Sequence, residues 1–86
     1  MDINVLITII KKKLQEQIII ENISIEDKSF LHKKHIGNQV GKFHLKILIK
    51  SNELNKMSKI EMNKKIYKVL DYEMKHFIHS IQILVS

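Results

Sequence analysis

Five histidines and no cysteine bound the chemistry open to this chain of 86 residues. His32 and His35 stand three apart in the stretch "SFLHKKHIG", with Lys33 and Lys34 between them, and His44, His76 and His79 follow. Without a thiol, the chain alone forms no disulfide, no thiolate nucleophile and no thiolate metal site. Metal ligation must come from imidazoles and carboxylates, or a partner must bring the thiolates. An H-x-x-H loop offers two ligands, short of the four that a stable zinc site takes. Half of a metal site, a nucleic-acid contact and surface decoration all remain open for His32 and His35. Asp27 and Ser29 lie close to His32 and supply the residue types of a hydrolytic triad. Such tight spacing in one loop points instead to turn contacts. The stretch "GNQVG" lacks the Lys-Ser/Thr pair and the following helix of a phosphate-binding loop. The expectation is a protein that is not an enzyme.

The formal net charge of +6 and a pI of about 9.6 suit anionic partners. Every basic residue is Lys, Ile and Asn are abundant, and Ala and Pro are absent. That bias is also what an AT-rich genome would impose on any protein, so a partner signal and composition drift both stay open. Lys42, Lys46, Lys50 and the Lys56–Lys68 group, with Lys64 and Lys65, would form a basic nucleic-acid face or a solvated exterior. The absence of Arg weakens base readout, which favours the bidentate guanidinium. Any DNA binding is expected to be weak and sequence-independent.

These side chains need a frame. At 86 residues with 44% hydrophobic content the chain supports one domain, residues 1–86, with a modest core. Asp2 to about Gln17 reads as a helix, with Ile3, Leu6, Ile7, Ile10 and Leu14 on one stripe. Its start is too short and too quickly followed by lysines to span a bilayer or resemble a signal peptide. The expected location is cytoplasmic. "IIIENISIED", from Ile18 to about Asp27, is β-branched, and Ile19, Ile23 and Ile25 share a parity, so a strand is expected. A loop from Lys28 to Gly41 leads to "KFHLKILIK". There Phe43, Leu45, Ile47 and Ile49 alternate with His44, Lys46, Leu48 and Lys50, which predicts a buried face and a mostly wet one. His44 falls on the wet side and reads as a surface or structural histidine. The two strands should pair antiparallel. "SNELNK" reads as a polar connection. Ser58 and Glu61 then fit a capping box for a helix running to about His76, with Ile66, Val69, Leu70, Met74 and Phe77 as its stripe. His76 at its end suits the helix dipole. His79, Ile81, Ile83 and Val85 share a parity and predict a third strand.

Four pieces of this sequence, in order, resemble the BolA family. Asp27-Lys28-Ser29-Phe30-Leu31-His32-Lys33-Lys34-His35-Ile36-Gly37 is similar to its D-x-S-x-x-H-x-x-H-x-G loop. Gly41-Lys42-Phe43-His44-Leu45-Lys46-Ile47 resembles its G-x-x-H-F-x-V strand, with Leu45 in place of the aromatic. Ile66-Tyr67 and Leu70 fit its I-Y-x-x-L helix, and Ile78-His79-Ser80-Ile81-Gln82-Ile83 resembles its I-H-A-L-S-I ending. The sequence departs from the family at Met62-Asn63-Lys64, which stands where R-H-R is usual. It departs again at Leu54-Asn55-Lys56, which stands for F-x-G.

The resemblance implies a small α+β domain of order α-β-β-α-β. Its three-stranded mixed sheet would carry the helices on one face, as in type II KH folds. It also implies an adaptor that partners a monothiol glutaredoxin and shares a [2Fe–2S] cluster with it. His32 and His79 would be this chain's ligands and His35 an alternate, while the glutaredoxin and glutathione bring thiolates. The isolated chain is then expected to be a monomer with no cluster of its own. DNA-binding transcription regulation, known in the same family, is the alternative. A KH-type G-x-x-G clamp is missing, because three residues separate Gly37 from Gly41.

Overall fold

A computed structural model describes residues 1–29 and 42–86 of the chain. Helix α1 (Ile3–Gln17) opens on Asp2, whose carboxylate accepts from the Asn4 backbone N–H at 2.7 Å. This satisfies one of the N–H groups that a helix start leaves without an internal partner. Leu6, Ile10 and Leu14 are its fully buried residues. Ile18 ends the helix and is itself buried in the core. Strand β1 (Asn22–Asp27) therefore begins four residues later than the β-branched run suggests. Ile19 is 74% exposed and does not share the buried position of Ile23. The helix end and the turn after it consume residues whose propensity alone favours a strand, so packing overrides propensity here.

Strand β2 (Phe43–Lys50) pairs antiparallel with β1, from Asn22 opposite Lys50 to Asp27 opposite Leu45. Strand β3 (Ile78–Val85) pairs parallel with β2, giving a mixed sheet of order β1-β2-β3. A parallel partner requires a crossover. It is built from α2 (Asn52–Asn55), α3 (Lys59–Val69) and α4 (Asp71–His76). Leu45, Ile47 and Ile49 of β2 join Leu6, Ile10 and Leu14 of α1 and Met62 and Ile66 of α3 in one core. Period-two geometry puts the helices on that face of the sheet and Lys46, Leu48 and Lys50 on the other. The α+β, mixed-sheet expectation holds.

Two details of the crossover differ from the sequence reading. "SNELNK" is not simply a polar connection. Ser51 caps the single turn α2, accepting from the Leu54 N–H at 3.2 Å and donating to the Ile19 carbonyl at 2.7 Å. Leu54 is buried beneath it, so one apolar residue anchors an otherwise polar segment. The second helix does not run unbroken from Ser58 to His76. Ser58 caps α3 as expected, accepting from the Glu61 N–H at 3.1 Å, but the backbone leaves helical geometry at Leu70. Leu70 stays fully buried at the break, and Met74 beyond it packs against the core.

Candidate functional site

The end of the sheet where β1 stops and β2 starts gathers the histidine chemistry. Ser29 donates its backbone N–H to Asp27 Oδ1 at 2.9 Å, forming the turn contact expected of this pair. The Ser29 hydroxyl then accepts from the His44 N–H at 3.0 Å, while the Lys28 N–H donates to the His44 carbonyl at 2.7 Å. The Asp-x-Ser element thus extends the β1–β2 ladder by side-chain bonding and fixes the backbone of His44.

His44 corrects the sequence reading. It has the parity of Lys46 and Lys50, yet it is only 5% exposed. Alternation assigns it to the outer face correctly, but it cannot report what covers that face at the strand's end. The cover comes partly from β3. His44 Nδ1 lies 2.6 Å from Ser80 Oγ, and His44 Nε2 lies 3.1 Å from His79 Nδ1. The two rings meet edge to face, with centroids 4.6 Å apart and planes at 77°. That is a favourable aromatic geometry.

A β-bulge makes this possible. Phe43 pairs with Ile78, but the next residue, His44, pairs with Ser80, so His79 is the extra residue of β3. Bulges leave one residue unpaired and re-aim its side chain. Ile78 is buried, and Ile81, Ile83 and Val85 are half-buried against the same core. Core positions 78 and 81 are an odd number apart, which a regular strand cannot place on one face. This parity switch, present in the sequence, marks the bulge. His79 does not continue the row of Ile81, Ile83 and Val85; it turns beside His44 and is exposed. Its Nδ1 is engaged, and its Nε2 has no hydrogen-bond partner among the described residues.

His79 fits a ligand role on this geometry. A ring held through one nitrogen and accessible at the other is the arrangement in which histidine serves metals. Among the described residues no three His, Asp or Glu side chains converge to hold an ion. His79 therefore offers one donor, and the remaining donors of any metal group would come from elsewhere. His32 and His35 lie outside the described residues, as do Gly37 and Gly41.

The other candidates are dispersed. His76 is exposed at the last turn of α4, its ring 4.4 Å from that of Tyr72. Lys42 precedes β2, and Lys46 and Lys50 lie on the outer sheet face. Lys64 is exposed on α3, and Lys65 bonds Glu53 at 3.0 Å. That ammonium, by its hydrogen bond, holds the Glu53 carboxyl below the usual carboxylate range. The five lysines are thus divided between the sheet face and the helix layer. At the two departures from the family pattern, Met62 and Leu54 are core residues, while Lys56 and Lys64 are exposed. No described helix is long and apolar enough to cross a membrane.

A Haemophilus influenzae protein named DNA-binding transcriptional regulator BolA is 29% identical over 75 residues, covering 87% of this chain and 70% of its own length. Among solved structures, the BolA domain of SufE1 from Arabidopsis thaliana matches with a TM-score of 0.76 and 25% identity, over 92% of this chain and 87% of that one. BolA1 from the same plant matches with a TM-score of 0.74 and 23% identity, over the same shares of the two chains. The BolA-like protein family model covers residues 14–86. That span runs from the last turn of α1 through every element that builds the His44–Ser80–His79 cluster, and the chain belongs to the BolA family.

Proposed function

We propose that this protein is a non-catalytic adaptor that docks on a monothiol glutaredoxin and helps to hold a [2Fe–2S] cluster in iron–sulfur assembly, trafficking or sensing. The observation that carries the reading is the bulged, exposed His79, anchored through Nδ1 with Nε2 unengaged among the described residues. Family membership and the likeness to the BolA domain of SufE1 support it. Such clusters take four ligands, and two histidines can replace two thiolates on one iron. A chain without cysteine supplies only the histidine half. His79 gives one donor from a strand, and His32, with His35 as alternate, gives the other. A glutaredoxin cysteine and glutathione hold the second iron.

The test is anaerobic co-purification with a monothiol glutaredoxin and glutathione, read by visible absorption and circular dichroism. His79→Ala is expected to weaken the mixed-ligand spectrum more than His32→Ala, because β3 holds its ligand rigidly. A His32→Ala, His79→Ala double variant with the wild-type spectrum and cluster stability would end the proposal.

DNA-binding regulation is the second reading. It is favoured by the name of the Haemophilus influenzae relative and by the net charge of +6. The lysines at 42, 46, 50, 64 and 65 would make the phosphate contacts.

A further inference from the structure

We infer that His44 and Ser80 are positioning residues for His79, joined to it in one hydrogen-bonded line whose direction follows what His79 binds. This deepens the cluster-ligand reading and rests on it.

The line is Ser80 Oγ, His44 Nδ1, His44 Nε2, His79 Nδ1, with contacts of 2.6 and 3.1 Å. A neutral imidazole carries one proton, so one nitrogen donates and the other accepts. At the 3.1 Å contact, one ring must donate and the other accept. If both presented N–H, or both a lone pair, the contact would be repulsive. The two neutral rings therefore carry their protons on the same-named nitrogen, both on Nδ1 or both on Nε2. Ser80 Oγ terminates either arrangement, because a hydroxyl donates and accepts equally well.

A metal at His79 Nε2 removes that choice. Ligation uses the Nε2 lone pair, so the His79 proton must sit on Nδ1. His44 must then accept at Nε2 and carry its own proton on Nδ1, which donates to Ser80 Oγ. If the free chain holds the opposite arrangement, the protons rearrange without net gain or loss. His79 Nε2–H yields its proton to water, the His44 Nε2 proton passes to His79 Nδ1, and the Ser80 proton passes to His44 Nδ1. Ser80 regains a proton from water. Burial of His44 makes the contact more demanding, since an unmatched polar contact there is costly. The bulge supplies the geometry by placing His79 and Ser80 consecutively beside one ring.

The experiment uses the full chain labelled with 15N, metal-free, at about pH 8.5, where imidazoles are neutral. Long-range 1H–15N spectra report the tautomer of each ring. His44 and His79 are expected to share a tautomer. In His44→Phe, which keeps a ring at the site, His79 should revert to the tautomer mixture of a free imidazole. The same variants are then loaded with cluster beside a monothiol glutaredoxin and glutathione. His44→Phe should shorten the lifetime of the loaded complex by roughly tenfold or more, the usual cost of losing a ligand's supporting partner. His44→Gln should restore most of it, because its side-chain oxygen can accept where Nε2 does. Ser80→Ala, at an exposed position, leaves the fold intact and should show a smaller loss. Opposite tautomers in the wild type would overturn the inference. So would a His44→Phe complex as long-lived as wild type beside a weakened His79→Ala complex. A His79→Ala complex with wild-type lifetime would be a different failure, ending the ligand reading and this inference together.

Discussion

Replacing Lys13 by Met should destabilise the fold far more than replacing its partner Glu73 by Met. Glu73 lies on α4 and is 3% exposed, while Lys13 reaches it from α1 with a side chain 39% exposed. Lys13 Nζ is 2.6 Å from Glu73 Oε2, and Oε1 is buried without a partner among the described residues. At that separation and an effective dielectric of about 20, the attraction is about 6 kcal/mol before desolvation is subtracted. Lys13→Met removes it and leaves a carboxylate in the core with one oxygen already unsatisfied. Breaking a buried pair this way costs about 3–5 kcal/mol. Lys13 is partly wet, so about 3 kcal/mol is expected here. Glu73→Met acts oppositely, because it deletes the buried charge and the orphaned oxygen together. The Lys13 ammonium can turn to water while its stem stays packed. The loss should be below about 1 kcal/mol, and a gain is within reach of this mechanism. The Lys13→Met, Glu73→Met double variant should match Glu73→Met alone. Urea denaturation followed by circular dichroism measures all three. Equal losses from the two single variants, or a Lys13→Met loss under about 0.5 kcal/mol, which is the scale of an exposed pair, would refute the reasoning.

Ser51→Ala removes a helix cap and strands the Ile19 carbonyl, so a loss of about 2 kcal/mol should appear in the same denaturation assay. Glu53 has its carboxyl value lowered by Lys65, so its contribution is present at neutral pH and is lost as pH falls through the folded-state value. Glu53→Gln should therefore be less stable than wild type at neutral pH and indistinguishable from it at about pH 2, well below the ordinary carboxylate range. DNA titrations at about 0.15 M salt should give weak binding that is insensitive to sequence and falls steeply with added salt. Nanomolar binding to one sequence but not to scrambled DNA would favour the regulator reading instead.

Local pattern and tertiary placement separate cleanly in this chain. The α1 stripe, the alternation along β2 and the Ser58 cap each depend on neighbours within a few residues, and each was legible from spacing. The break at Leu70 left no such marker, because the buried Met62, Ile66, Leu70 and Glu73 keep the spacing of an unbroken helix. The Lys13–Glu73 pair, 60 residues apart in sequence, leaves no local trace at all. The candidate site contains both kinds of information. The family resemblance singled out His79, and the odd spacing of Ile78 and Ile81 reveals that an extra residue lies between them. Nothing local says what that extra residue meets. The parallel register with β2 decides that, by setting Ser80 opposite His44 and leaving His79 to turn onto the same ring. Period-two alternation fails at His44 for the same reason: it predicts the face on which a side chain stands, while burial depends on what the neighbouring strand brings over that face. A histidine can therefore be recognised as a ligand candidate from sequence, but the group that orients it belongs to another strand and becomes visible only when the strands are paired.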